Sequence, residues 1–360
     1  MKVYPLSITR DYVSRWGMVE AVRELIQNSL DSSASFKYEF KKENNGSYTL
    51  LLTSEDVTLA PHTLLLGATG KRHSSDTIGS FGEGYKLALL VLLRENFDVT
   101  ILNGCVEWTP KFEFSRAFGY EQLVIEETPL TQIVNTSLIF RLGGLTEENV
   151  EAIRKCCLRM QGDVGAIRTT PMGEILLDRP GELYVGDLFV CKVNTDFGYN
   201  VLPRYLRLER DRQTVDGWDL KCLTRDMWYA TKDYDEIATL IARESPDLAY
   251  AKYSCPDIVK EACYALFKEQ HPGEVIANTN EELQKLVRDG LTVVVAGDSF
   301  YAAVSESSSY QAEMSSVLPK KLSPVEILEI WLRENRKEIR GKAIESFRKE
   351  ILQDKALEWK

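Results

Sequence analysis

Histidine is scarce in this chain: there are three in 360 residues, His62, His73 and His271, set apart from one another in sequence. The seven cysteines, at 105, 156, 157, 191, 222, 255 and 263, form no Cys-x-x-Cys pair and have no histidine cluster beside them. That excludes the common zinc-site spacings, and the odd count reads as reduced thiols, not as a disulfide framework. Long apolar runs are missing as well. The longest, "LALLVLL" at 87–93, falls far short of the roughly 20 residues that span a bilayer. The first residues, "MKVYPLSITRDYVSRWG", lack the apolar core of a secretory signal, so the expectation is a cytoplasmic chain with no membrane partner. Nor is there an excess of basic charge. With 44 Lys and Arg against 54 Asp and Glu the net charge is −10, which argues against wholesale attraction to nucleic acid and leaves only a local basic groove as a route.

What is present is an ordinary globular composition, 44% hydrophobic and 27% charged, long enough for roughly two or three domains. From Met18 to about Ser33, Val19, Val22, Ile26 and Leu30 fall on one side at helical spacing, and Glu24, Asn28 and Asp31 fall on the other. "FKYEFKKENNGSYTLLLTSEDVTL" reads as two strands joined by an Asn45-Gly46 turn. A polar loop with glycines follows, and then "IGSFGEGYKLALLVLLREN", in which glycines lead into a helix of about ten residues. Strands are expected at "FDVTIL", "VEWTPKFEF", "EQLVIEE" and "TSLIFRL". Residues 1–145 therefore predict an α+β sandwich, not an alternating parallel sheet.

"TEENVEAIRKCCLRM", 146–160, predicts a helix with a Thr-x-x-Glu-like start. "GEILLDRPGELYVGDLFVCKV" reads as a hairpin pair and opens a second α/β unit, 146–235. Residues 236–304 hold a small α/β element, with strand, helix, strand and helix from about 272. The segment 305–360 is expected to be a serine-rich linker, 305–321, and a charged helical tail that could pack on a partner.

The loop "GSFGEGYK" sets Gly79, Gly82 and Gly84 at a helix start, where backbone N–H groups can approach phosphate oxygens and the helix dipole favours an anion. Taken alone, a glycine turn that allows tight helix packing explains it equally well. The stripe Glu24, Asn28, Asp31 is likewise what any surface helix shows. Yet Asn is a poor interior helix former, its amide oxygen suits a hard cation such as Mg2+, and a carboxylate four residues away can hold a water. A carboxylate base beside a phosphate-bound metal suits nucleotide hydrolysis.

In order, and separated by a hairpin and a loop, the two motifs resemble the Bergerat-fold (GHKL) ATPases: gyrase B, the heat-shock chaperone of ninety kilodaltons, sensor histidine kinases and MutL. "ELIQNSLDS" is similar to the family's E-x-x-x-N-x-x-D box, and "IGSFGEGYKLALL" to its glycine box in the chaperone and MORC-like branches. The likeness covers about residues 15–145. It implies ATP and Mg2+ as cofactors, Glu24 as the base that activates water, Asn28 as the Mg2+ ligand and Asp31 as a helper in the pocket. Gly79, Gly82 and Gly84 would line the triphosphate. Lys71 and Arg72 in "GATGKR" and Lys86 after the glycine box fall where the family places phosphate-side residues, with an exposed basic side chain as the plain alternative. Thr136 in "VNTSLIF" resembles the late Gly-Thr strand, with Asn135 replacing the glycine.

One departure stands out. The family's D-x-G-x-G, whose aspartate meets the adenine amino group, corresponds here to "SEDVTL", with no glycine; the expected position falls near Ser54, and Asp56 keeps its strand parity where Glu55 does not. The resemblance also implies a following unit that sends a basic residue to the γ-phosphate, for which "RLERDR", 207–212, is a candidate beside a solvated charged strand or turn. No histidine has the sequence context of a sensor-kinase phosphoacceptor. The expected function is Mg-dependent ATP binding and hydrolysis, with closure of a lid over 60–78 driving a conformational change or homodimerisation. The rival is a non-catalytic regulatory or interaction module on a degenerate form of the fold, with its protein or nucleic-acid partner unidentified.

Overall fold

The computed structural model describes residues 2–32, 36–65, 83–131, 136–206, 217–317, 324–336, 339 and 341–347. The chain opens with a strand that no turn signal announces. β1 (Lys2–Thr9) alternates so that Leu6 and Ile8 enter the core, and its register breaks between Pro5 and Thr9, where Ser7 takes a φ of 51°. Then come α1 (Met18–Ser32), β2 (Phe36–Lys42) and β3 (Tyr48–Ser54). β2 and β3 form the expected hairpin, in register from Phe36↔Ser54 to Lys42↔Tyr48, with Gly46 supplying the positive φ its turn requires. α2 (Gly84–Arg94), β4 (Asp98–Asn103), β5 (Val106–Ser115), β6 (Tyr120–Pro129) and β7 (Leu138–Leu145) complete the layer.

The seven strands order β1-β6-β5-β4-β7-β3-β2, every neighbour antiparallel. Leu25 and Ile26 of α1, Leu89 and Val91 of α2, and Leu52, Ile101 and Phe140 of the sheet belong to one core cluster. Every residue of α2 from Tyr85 to Leu92 is buried, and this explains the unbroken "LALLVLL": a helix covered on all sides needs no polar face. The α+β class expected from the order of elements is the class observed.

α3 (Glu147–Lys155) starts with a reciprocal cap in which Thr146 Oγ1 accepts from Asn149 N at 3.2 Å and Asn149 Oδ1 accepts from Thr146 N at 3.0 Å. Asn149, not a glutamate, makes the return bond, and the helix stops at Lys155 instead of running to 160. β8 (Ile167–Thr170), β9 (Gly173–Leu176), β10 (Glu182–Val185), β11 (Leu188–Lys192) and β12 (Gly198–Val201) form a second sheet, ordered β11-β10-β12-β9-β8. β10 and β11 make a hairpin, but β9 pairs with β8 and β12, not with β10. α4 (Gly217–Thr231) and α5 (Tyr234–Ala242) follow.

Two compact units result, Met1–Ser254 and Cys255–Lys360. The second holds α6 (Asp257–Gln270), β13 (Val275–Ala277), α7 (Asn280–Arg288), β14 (Val293–Val295), α8 (Asp298–Ser305), α9 (Ser308–Val317), α10 (Pro324–Glu334) and α11 (Gly341–Phe347). The strand-helix-strand-helix order from 275 is as expected, and β13 and β14 pair in parallel. The serine-rich stretch is not a linker over its whole length, since 308–317 is α9. Its first turn is capped by Glu261, whose Oε1 accepts from Ser308 N at 2.8 Å, and Ser307 Oγ accepts from Tyr310 N at 3.0 Å. Serines that look unstructured by composition here serve a helix start.

Candidate functional site

The polar stripe of α1 is not its wet side. Glu24 is 4% exposed, Gln27 and Ser29 are buried, and Asn28 and Asp31 are half-buried. Glu24 and Asn28 both face Gly84, the first residue of α2. An ideal Cβ on Gly84 would overlap Glu24 Oε2 and lie 3.3 Å from its Cδ and 3.5 Å from Asn28 Nδ2, so any other residue there would displace the Glu24 carboxylate. Asn28 Nδ2 donates to Glu24 O at 2.7 Å, which commits the amide nitrogen to the backbone and makes the oxygen the atom suited to a cation. The structure thus brings together three residues from two separate motifs, at a helix start where backbone N–H groups can receive an anion.

Tyr85 and Lys86 bind the short 3-10 turn Pro61–Leu64 and the residue after it. Tyr85 Oη donates to Thr63 O at 2.8 Å, and Lys86 Nζ donates to Leu65 O. Burial pushes the Tyr85 phenol up to about 12 and the Lys86 ammonium down to about 8, the latter partly offset by Glu83. Lys86, expected at the phosphates, is therefore a buried pin for the chain at Leu65. Lys71, Gly79 and Gly82 lie outside the described residues, as do Arg72 and the run 207–212.

At the end of β3 the two acidic residues part company. Glu55 pairs with Lys37 at 2.5 Å, while Asp56, with a left-handed φ of 55°, accepts a hydrogen bond from Thr136 Oγ1 at 2.9 Å. Asp56 and Thr136, 80 residues apart, are neighbours because β3 and β7 pair with Ser54 opposite Leu138. Ser54 is wholly buried on the side of β3 that carries Leu50 and Leu52, and its hydroxyl has no hydrogen-bond partner among the described residues. An orphaned buried hydroxyl is costly unless something meets it. Asn103 was not legible as part of this region: its amide takes Leu59 N at 2.8 Å and gives to Leu59 O at 2.7 Å, pinning the segment after Asp56 to β4.

Asp31 lines a cleft of about 620 Å3 with Arg159, Glu174, Asp187 and Asn200 of the second-sheet region. There Arg159 Nε meets Asp187 Oδ2 at 2.5 Å, and Asn200 Nδ2 donates to Glu174 and Asp187 at 2.9 and 2.8 Å.

Among the described residues no group of three or more His, Cys, Asp or Glu is placed to hold a metal ion, and no helix is long and apolar enough to cross a membrane. A cation at Asn28 would need ligands from a bound phosphate, as Mg2+ commonly has. No family model matches the chain. It is similar, at 24% identity over 233 residues that span 60% of this chain and 92% of the other, to an uncharacterised protein of Mycoplasma pneumoniae (strain ATCC 29342 / M129 / Subtype 1).

Proposed function

We propose that the chain binds Mg-ATP in the manner of the Bergerat-fold ATPases and hydrolyses it to ADP and phosphate, using the cycle to drive a conformational change or dimerisation. The observation that carries this reading is the Gly84 contact: the helix that ends the glycine box starts against the Glu24 carboxylate and the Asn28 amide. The bare glycine lets the Glu24 carboxylate and the Asn28 amide come against the start of α2, whose backbone N–H groups can hold a phosphate.

The donor set fits. Asn28 Oδ1 is a hard oxygen for a divalent cation, the N–H groups at the start of α2 can hold a phosphate, and Asp56, oriented by Thr136, offers a carboxylate oxygen to an exocyclic amine. The Ser54 hydroxyl supplies a further buried polar group on the same strand end. Bound Mg-ATP would supply the electrophilic phosphorus and its charge neutralisation. The chain supplies the rest: Glu24 holds and deprotonates a water, Asn28 and the α2 start orient the phosphates, and the buried setting of Glu24 keeps other water away.

The second reading, a non-catalytic module that binds without turnover, draws on the glycines missing from "SEDVTL". Equilibrium ATP binding and Mg-dependent phosphate release, measured on the same protein, separate the two. Binding with release supports the ATPase, binding without release supports the module, and no binding overturns the ATPase and leaves the module with a partner other than ATP.

A further inference from the structure

Helix α4 carries Trp218, Lys221, Arg225 and Tyr229 at i, i+3, i+7 and i+11, one face of a helix. Against that face folds the segment Tyr250–Ser254, with a 3-10 turn at Ala251–Tyr253. Arg225 Nη1 donates to Tyr250 O at 3.4 Å and Tyr229 Oη donates to Ser254 O at 3.1 Å, so the two elements are tied along their length. Three rings meet above these ties. Trp218 and Tyr250 have centroids 4.5 Å apart, Trp218 and Tyr253 5.6 Å, and Tyr250 and Tyr253 5.3 Å at 87°.

The cluster is held from below and open above, with Trp218 53% and Tyr253 61% exposed. Leaving this much aromatic surface in water forgoes its burial, and clustered exposed apolar surface of this kind marks contact sites. Its cations are built in. Lys221 Nζ lies 5.3 Å from the Tyr250 ring centroid and Lys252 Nζ 5.5 Å from that of Tyr253. Arg225 is paired with Asp226 at 2.8 Å, and the cations placed beside the rings are Lys221 and Lys252.

Three geometries compete for such a patch. Rings packed at 4.5–5.6 Å leave no gap for an ammonium between them, so this is not a cage for a cationic ligand. Protein-interface cores are depleted in lysine, whereas here two ammonium groups lie 5.3 and 5.5 Å from ring centroids. Planar rings open to solvent with cations at their flanks match a ligand that alternates flat bases with phosphates. We propose that Trp218, Tyr250 and Tyr253, flanked by Lys221 and Lys252, form a stacking platform for single-stranded nucleic acid. It reads base faces and phosphates and so tolerates any sequence and either sugar. The platform is independent of the nucleotide site and operates without ATP.

The test is fluorescence anisotropy of labelled twelve-residue oligothymidylate and oligouridylate with the full chain, from about 50 to about 200 mM salt, with a blunt duplex of the same length alongside. Both single strands are expected to bind within about threefold of each other and at least about tenfold more tightly than the duplex, whose bases are not open to stacking. Trp218→Ala should weaken binding roughly fivefold or more while Trp218→Phe retains most of it. Lys221→Ala and Lys252→Ala should each lower the salt slope by about 0.7. Thermal melts confirm that each variant is folded. Absence of single-strand binding at the lowest salt, equal binding of duplex, binding confined to one sugar, or a folded Trp218→Ala that binds like wild type overturns the proposal. A protein partner that needs Trp218, with no oligonucleotide bound, overturns it too.

Discussion

The Glu24 carboxylate occupies the space that any side chain on residue 84 would need. A Cβ at Gly84 would overlap Glu24 Oε2 and lie 3.3 Å from Cδ, although Gly84 itself has no need of positive φ. The glycine is required by the approach of another residue, not by backbone strain. Gly84→Ala is therefore expected to cost about 1–3 kcal/mol as an overpacked contact. Glu24→Ala removes the clashing oxygen, so the double variant should recover part of that loss. Denaturant midpoints of the four proteins measure the coupling, and additive losses would mean the two residues do not meet.

Asp56→Asn should preserve the fold, because Asn tolerates the left-handed φ of 55° and both Asp56 and Thr136 are exposed. Adenine nucleotide binding should fall roughly ten- to hundredfold, the worth of about 1.4–2.7 kcal/mol in one charged hydrogen bond. Glu55→Gln, which alters a residue paired with Lys37, should leave binding unchanged. Titration calorimetry of the three proteins makes the comparison, and equal losses for both variants would remove Asp56 as the anchor.

Lys86 is buried, and burial lowers its ammonium to about 8 from an ordinary 10.5. Between those values the unfolded chain binds the extra proton and the folded one does not, so stability gains with rising pH across that window and the penalty is largest below about 8. Against Lys86→Met, wild type should gain stability from pH 8 to 10.5. Equilibrium unfolding of both proteins across that range reads the difference, and a constant gap would show that Lys86 is not desolvated.

Glu127 joins β1 to the sheet: it accepts from Lys2 Nζ at 3.0 Å, Tyr4 Oη at 3.1 Å and Trp108 Nε1 at 3.1 Å. Burial alone would push its carboxyl up, but these bonds outweigh burial and hold it below its ordinary 4.5. Its contribution is therefore complete above pH 4.5 and is lost as pH falls through the lower folded value. Glu127→Gln should cost about 1–3 kcal/mol near neutrality, with the gap to wild type closing in acid. Acid titration of the melting temperature follows it.

Local features were legible in the sequence. The Asn45-Gly46 hairpin, the apolar run of α2 and the periodicity of α1 each depend on residues within a few positions of one another, so pattern alone recovers them. β1 was not legible, because Pro5 and Ser7 interrupt its alternation and its partner β6 is remote in sequence. The Asp56–Thr136 bond spans 80 residues and exists only because β3 and β7 are neighbours in the sheet. Parity could nominate Asp56 over Glu55, but not say what would hold it. Asp31 shows another limit: helical spacing groups it with Glu24 and Asn28, but cannot bring Arg159, Asp187 and Asn200, remote in sequence, to the cleft it lines. α9 was missed because serine content resembles a linker until Glu261 and Ser307 are seen capping it.

The measurement that bears most directly on the central claim is Mg-dependent ATP turnover by the full chain and by Glu24→Gln, which keeps the side chain's size and removes its basicity. Wild type should release phosphate from ATP, and Glu24→Gln should bind ATP with similar affinity while turning it over about a hundredfold or more slowly. Wild type that binds no ATP, or a variant that hydrolyses it at the wild-type rate, would contradict the role assigned to the Glu24 and Gly84 contact.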